Sequence, residues 1–441
     1  MNLSLFLSLI EGEEMKNLEL AKKHEEYIVS MRRYLHEHPE LSDHEDETCK
    51  KISEELTAMG IENVEIPHGG VLGKIVGGKD TGKAVLLRAD CDALPVIEKD
   101  INLSCKRTCV SKNEGVMHAC GHDGHVSMLL GAAKILLDRK DELEGTVYLC
   151  FERGEEGTGN VKYIFKYIED NDIHIDAVYG THVWSDLEAG KLCINDSDMM
   201  AGVMAFDVTI EGRGGHGSRP DQSNSPIDCF VAIYHRLEAI RLTKVNPFKT
   251  CAYSVGKLDA GIRNNVIPQS LNFGGTMRTF DPFGAGMEFY NEFKKAIDGI
   301  CAAYDCVPTY NRFSKPRLPV VNNPEVAVFA RKVIGEEIGA ENVVQHEPWM
   351  ASESFGRYMM QWPGVFAFLG INNPEKGTGA AHHNQNFDID EDVLHLGSTA
   401  AATYAIEYLK SDMPANGRLM SYHDFLVKTE DTDTLKELYG E

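Results

Sequence analysis

The chain has 441 residues, too many for one ordinary core, so two or more domains are expected. Its composition is that of a globular protein, 43% hydrophobic and 25% charged. With 44 basic against 68 acidic residues the formal net charge is −24; that field repels a polyanion, no basic stripe offsets it, and nucleic-acid binding is excluded as a function class. Eleven cysteines without a regular framework suit free thiols in a reducing cytoplasm. Cys105 and Cys109 have a loosely zinc-like spacing, but no second pair completes the set.

The apolar run Met1–Ile10 has the look of a signal peptide. It lacks a positive lead and runs into Glu11, Glu13 and Glu14 without a small-residue cleavage site, so it is not read as one, and Met15 is an alternative start. No stretch approaches the ~20 apolar residues of a membrane span. A soluble cytoplasmic protein with no membrane partner is the expectation.

From about Leu18 to Met59 charged and apolar positions alternate at helical spacing. Ser42, followed three residues later by Glu45, reads as a capping box opening a helix that runs through Glu55, with Pro39 enforcing an extended lead-in. Two apolar runs follow, Val71–Val76 and Ala84–Asp90, joined at Gly77-Gly78-Lys79-Asp80. Gly77, Gly82 and Lys83 have the spacing of a phosphate-binding loop. However, Ala84 replaces the required Ser or Thr and a strand follows, so the segment is predicted to be a hairpin turn.

The run His118-Ala119-Cys120-Gly121-His122-Asp123-Gly124-His125 is the most informative in the chain. Three imidazoles, a thiol and a carboxylate in eight residues are donors for zinc, manganese, cobalt or nickel. Val126, Leu129, Leu130, Ala133 and Leu137 recur at helical intervals behind it, which puts the cluster at a helix N-terminus. A buried strand over Thr146–Phe151 leads to Glu155-Glu156, Val161–Ile168 reads as a helix, and Ala177–Val183 as a strand carrying His182. Alternating strands and helices predict an α/β sheet covered on both faces, with function at the strands' C-terminal ends.

Near residue 204 the character changes. A half-buried strand at Met204–Glu211 precedes the glycine-rich Gly212–Gly217, which holds His216. A helix at Pro226–Leu242, strands at Cys251–Val255 and Ser270–Thr279, and a helix at Gly286–Tyr304 suit a small α+β domain inserted into the α/β one. The expected division is 1–203 and 316–441 for the catalytic domain and 204–315 for the insertion, with a polar tail after Lys410 that the pattern leaves unplaced.

Hydrolysing an amide near neutral pH calls for a strong nucleophile, a proton shuttle and stabilisation of the developing oxyanion. A pair of metal ions about 3.5–4 Å apart activates a water and polarises the carbonyl, and one free carboxylate acts as base. On residue type alone the candidates are Cys120, His122, one of Glu155 and Glu156, His182, and one of His382 and His383. His36, His38, His44 and His125 read as structural or orienting groups, and Asp90 and Asp92 as buttresses; His24, His68, His174, His235, His395 and His423 read as ordinary surface or core residues.

These motifs together resemble the dinuclear metal-dependent amidohydrolases, which include N-acyl-amino-acid amidohydrolases, hippurate hydrolase and indoleacetyl-amino-acid hydrolases, in a clan with metallo-carboxypeptidases. The resemblance runs from about Arg32 to Tyr408 and also takes in Arg33–Ser42, Arg88–Pro95, Asn265–Pro268 and Gly275–Asp281. It implies an α/β catalytic domain with an inserted lid and dimerisation domain. It further implies two divalent ions held by Cys120, His122, Glu156, His182 and His383, with Glu155 as general base. His216 would donate to the carbonyl oxygen of the tetrahedral intermediate, across a homodimer, while Asn265 and Arg278 hold the substrate, an N-acyl amino acid or short peptide. A carboxypeptidase or dipeptidase with the same machinery is the alternative, and a silent binding protein on the same fold is the rival from another class. The chain departs from the family pattern at Glu152-Arg153-Gly154, where Gln-Pro-Ala is usual. It departs also at Gln385 in place of Pro and at Glu353-Ser354-Phe355 in place of Glu-Asp-Phe.

Overall fold

The computed structural model describes residues 15–157, 159–413 and 418–440; the apolar run Met1–Ile10 lies outside them. They form two compact units, one from the described residues of Met1–Ser197, Asn322–Glu347 and Arg357–Glu441, the other from Asp198–Val321 and Pro348–Gly356.

In the first unit the chain makes α1 (Asn17–Lys23), α2 (Glu25–Glu37), α3 (Asp46–Ala58), β1 (Glu62–Ile66), β2 (Gly70–Val76) and β3 (Lys79–Asp90). Next come α4 (His122–Asp138), β4 (Glu144–Glu152), α5 (Val161–Asp170), β5 (Ala177–Glu188) and β6 (Leu192–Cys193). The second unit contains β7 (Asp198–Met200), β8 (Gly202–Glu211), β9 (Gly215–His216), α6 (Pro226–Thr243), β10 (Cys251–Ala260), β11 (Val266–Ile267), β12 (Ser270–Thr279), α7 (Met287–Ala303), β13 (Val307–Phe313) and β14 (Val320–Val321). The chain then adds α8 (Pro324–Ile338), β15 (Val343–Val344), α9 (Gly356–Gln361), β16 (Gly364–Asn372) and α10 (Leu394–Lys410). The polar tail after Lys410 carries two further helices, α11 (Tyr422–Thr429) and α12 (Thr432–Tyr439).

The first unit is built on an eight-stranded mixed sheet in the order β1-β2-β4-β3-β5-β16-β6-β15. Its middle strands β4, β3, β5 and β16 are parallel. Because side chains alternate along a strand, continuous apolar runs must be buried on both faces. Val85, Leu87 and Ala89 of β3, Val147, Leu149 and Phe151 of β4, and Val365, Ala367 and Leu369 of β16 face the large core. The intervening Leu86, Cys150 and Phe366 are equally buried on the opposite side, where the Cys150 thiol lies 3.5 Å from the Tyr358 hydroxyl. Helix α4 is buried around nearly its whole circumference, packed against α2 and α10, as expected of a helix apolar on all sides.

Two local expectations fail. The segment at Gly77–Asp80 does not close a hairpin, because β4 lies between β2 and β3, antiparallel to one and parallel to the other. The glycines serve close approach instead: Gly77 N–H donates to Gly145 O and Gly78 N–H to Lys140 O, so the turn packs on the chain that enters β4. The capping box is not formed either. Ser42 Oγ donates to Asp92 Oδ2 at 2.6 Å, and the Glu45 carboxylate accepts from Gly154 N–H at 2.8 Å. The orphan amides at the start of α3 are met by Glu40, which accepts from Thr48 N–H at 2.7 Å and from the Thr48 hydroxyl at 2.8 Å. Two residues with cap chemistry were claimed by tertiary partners.

The second unit is α+β. Its antiparallel sheet runs β10-β12-β8-β13, with register shifts at Val255/Lys257 and Tyr310/Arg312. Met204, Phe206, Val208 and Ile210 alternate inward on β8 against Phe230, Ile233 and Leu237 of α6 and Phe289 and Phe293 of α7. The outward positions of edge strand β10 are mostly exposed. No helix among the described residues is long and apolar enough to cross a membrane.

A Cβ on residue 77 would lie 2.2 Å from the Leu143 carbonyl oxygen, which is backbone and cannot rotate away. Gly77→Ala is therefore expected to destabilise the first unit by roughly 1–3 kcal/mol, read as an earlier denaturant midpoint; an unchanged midpoint would show that the β2–β3 turn tolerates displacement.

Candidate active site

The parallel strands deliver their C-terminal ends to one side of the sheet, and the chemistry-bearing residues sit there. β3 ends at Asp90 and runs on through Cys91 to Asp92, β4 leads to Glu155-Glu156, and β5 carries His182. Cys120 and His122 flank Gly121, which precedes α4 at φ 90°. A side chain on Gly121 would lie 2.4 Å from Val183 Cγ2, so both backbone angle and space demand glycine between the two donors.

Donor atoms of Cys120, His122 and His182 lie within 4.8 Å of one another. The same holds for Cys120, Glu156 and His383, and for His122, Glu155 and Glu156. All five side chains implied as ligands, and the implied base, are thus brought together in the first unit. A fourth group joins Asp90, His122 and His125.

Neighbouring residues orient these donors. His122 Nδ1 is 3.0 Å from Asp92 Oδ1, leaving Nε2 turned to the cluster, buried and without a hydrogen-bond partner. His182 Nδ1 donates to Val183 O at 2.6 Å, which turns its Nε2 toward Cys120 Sγ, 3.6 Å away. Asp92 Oδ2 accepts from Ser42 Oγ at 2.6 Å and from Glu156 N–H at 3.0 Å. His125 has both ring nitrogens engaged, one with Asp90 Oδ1 at 2.5 Å, the other accepting from Val183 N–H at 2.9 Å, which makes it a brace.

The histidine pair divides in the same way. His383, at φ 63°, donates its backbone N–H to Ala119 O and holds ring Nε2 3.1 Å from Glu156 Oε1. His382 instead accepts at Nε2 from Ser185 N–H, at 3.3 Å, with Nδ1 3.7 Å from Cys120 Sγ. His383 stands in the group with Cys120 and Glu156, and His382 is held beside it.

Burial and charge act against each other throughout. Burial depresses His122, but the Asp90 and Asp92 carboxylates hold it well above the usual histidine range. Burial raises Asp92, and the His122 hydrogen bond outweighs it, keeping the carboxyl below its ordinary value. The Cys120 thiol is pushed well up by burial and by Glu156. Burial, with His125 and His382 alongside, depresses His182. Behind the cluster lies a buried ionic network. Arg32 reaches Asp123 at 3.0 Å, Asp388 at 3.2 Å and Glu391 at 3.1 Å, while His36 bridges Asp123 and Glu98 at 2.7 Å each.

The remaining expected site residues lie in the second unit. His216, on β9, is exposed and takes hydrogen bonds at Nδ1 from Ser218 N–H and hydroxyl, at 3.1 and 2.7 Å. Asn265 is exposed and accepts Gly217 N–H through its backbone carbonyl. Arg278 sits on β12, half-buried, with burial lowering it below the usual arginine value and no acidic partner among the described residues opposing that fall. Sequence reasoning missed Ser42 and Glu45 as tertiary ligands of the site loops. It also read Arg153 only as a departure, although its place two residues before Glu155 was a signal.

A thiol, imidazoles and a carboxylate converging around the buried His122 Nε2, which has no hydrogen-bond partner among the described residues, fit a borderline-soft divalent cation.

Comparison with known proteins gives the same direction. The family profile for peptidase family M20/M25/M40 matches residues 86–407. Thermostable carboxypeptidase 2 of Saccharolobus solfataricus is 36% identical, over 90% of this chain and 98% of the relative. An IAA-amino acid hydrolase of Arabidopsis thaliana is 35% identical over 94% and 92%, and an N-acetylcysteine deacetylase of Bacillus subtilis 33% identical over 87% and 97%. Among solved structures, the Bacillus subtilis YXEP protein, described as a dinuclear metal binding peptidase from the M20 family, superimposes with a TM-score of 0.72 at 30% identity, covering 88% of this chain and 99% of that one. The chain is a hydrolase of the peptidase and amidohydrolase kind and belongs to peptidase family M20/M25/M40.

Proposed function

We propose that this protein hydrolyses the amide bond between an acyl group and an amino acid, with two divalent ions held by Cys120, His122, Glu156, His182 and His383. One observation carries the reading: Cys120 belongs to two donor groups at once, one with His122 and His182, the other with Glu156 and His383, and Glu155 adjoins both through His122 and Glu156. When bound, the ions supply Lewis-acid activation of water and of the substrate carbonyl.

The protein's own groups do the rest. Glu155 takes a proton from the attacking water and returns it to the departing amine nitrogen. Asp92 fixes the ring of His122 and the backbone of Glu156. Arg278, a half-buried guanidinium with no acidic partner among the described residues, binds the substrate carboxylate, and Asn265 helps to hold the substrate. His216 donates to the oxygen of the tetrahedral intermediate. Residues 204–315 serve as lid and dimerisation module in a cytoplasmic homodimer. A second reading, a carboxypeptidase, is favoured by the carboxypeptidase among the relatives.

Metal-stripped protein reloaded separately with zinc, manganese, cobalt or nickel is expected to cleave N-acetyl or N-benzoyl amino acids. Cleavage of dipeptides or N-blocked peptides in their place would favour the peptidase reading, and inactivity with every metal on both panels would contradict the proposal. Glu155→Gln should retain bound metal and lose about 10²–10⁴-fold in kcat; a variant with normal turnover removes Glu155 from the base role. Arg278→Ala should raise KM roughly 10- to 100-fold for substrates with a free carboxylate and leave carboxamide analogues unaffected; an equal loss on both would contradict carboxylate binding.

A further inference from the structure

The departure at Glu152-Arg153-Gly154 has a built partner elsewhere in the first unit. Arg153 N–H donates to Gly69 O at 3.1 Å, its Nε to Glu45 Oε2 at 3.0 Å, and its Nη1 lies 2.9 Å from Asp46 Oδ1. The other oxygen of Glu45 accepts Gly154 N–H at 2.8 Å, so one carboxylate grips two consecutive residues. Glu45 is fully buried and Arg153 is 8% exposed. Gly154 turns at φ 69° directly after this anchor, and Glu155 follows. Just before it, Glu152 is held by Arg88 at 2.8 Å and by the Tyr358 hydroxyl at 3.1 Å. Beyond Glu156 the chain is tied again to the same segment: Asn160 Nδ2 donates to Asp43 Oδ1 at 3.0 Å.

The Pro usual at this place in the family pattern could make none of the Arg153 contacts. It has no N–H for Gly69 and no charge for a buried Glu45, whose carboxylate is expensive to bury unpaired. We infer that Arg153 is a positioning residue for Glu155: clamped to Glu45, it fixes the start of the loop that aims the base, while Asp43 and Asn160 fix its far end. The inference rests on Glu155 being the base. Its energetic logic is that of orientation, where a displacement of about 1 Å in a reacting group costs on the order of 100-fold in rate.

The test compares metal-loaded full-length wild type with Arg153→Ala, Arg153→Lys and Glu155→Gln on the best N-acyl amino acid of the panel. Arg153→Ala is expected to lose about 10- to 100-fold in kcat, with KM within about threefold of wild type and metal content unchanged. Arg153→Lys, which keeps a cation against Glu45, is expected to recover most of that loss. A folded, metal-replete Arg153→Ala with wild-type kcat, merely less heat-stable, overturns the inference and leaves the ion pair structural. Should Arg153→Ala fail to fold, Glu45→Gln gives the same readout from the other side of the clamp: lower kcat at constant KM supports it, unchanged kcat overturns it. Normal turnover by Glu155→Gln overturns the base assignment itself, which separates that failure from failure of the clamp alone.

Discussion

Asp92 is 1% exposed and accepts hydrogen bonds from three segments: the Ser42 hydroxyl before α3, the His122 ring at the start of α4, and the Glu156 amide after β4. No two of these segments are adjacent in sequence. Burying a carboxylate costs several kcal/mol unless its lone pairs are met, and here the protein meets them with the groups that must be placed for the site to exist. Asp90 does the same for His125 and, through Arg88, for Glu152. Asp90, the last residue of β3, and Asp92, just beyond it, therefore form the frame on which the donor cluster hangs.

That frame explains why the site assembles where it does. Parallel strands open their C-terminal ends on one side of the sheet, where β5 itself carries His182 and the chain leaving β3, β4 and β16 brings Asp92, Glu155-Glu156 and His382-His383. The strands themselves are held by continuous apolar burial on both faces, with α4 sunk between α2 and α10, so the donors sit on rigid supports. The loop after β4 carries two candidate site carboxylates outside any helix or strand. Its residues Glu155 and Glu156 are only half-buried, and it needs ties at both ends to hold them.

Much of this was legible in the sequence, because periodicity and donor chemistry report local facts. The strands at Thr146–Phe151 and Ala177–Val183, the helix behind His125 and the α+β insertion all follow from apolar spacing. The candidate donors stood out because Cys, His and adjacent carboxylates are the side chains that bind borderline-soft metals. What spacing could not reveal was competition from distant partners. Ser42 and Glu45 have the chemistry of a helix cap, yet Asp92 and the Arg153-Gly154 pair offer them buried partners, and a buried charge-assisted bond outweighs an exposed cap. The Gly77-Gly78 turn looked like a hairpin because nothing in a two-strand pattern reports that a later strand inserts between its arms. Nor could spacing report that the Ser185 amide, 197 residues from His382, engages that ring and leaves His383 beside Glu156.

Cys120 stands in two donor groups, one with His122 and His182 and one with Glu156 and His383. The most direct measurement is the number of divalent ions bound per chain, by elemental analysis of the metal-loaded and desalted protein, for wild type and Cys120→Ala. Two ions per wild-type chain and a marked loss of both in Cys120→Ala are expected. A single ion per wild-type chain, or two ions retained without the thiol, would contradict a thiol shared by two ions.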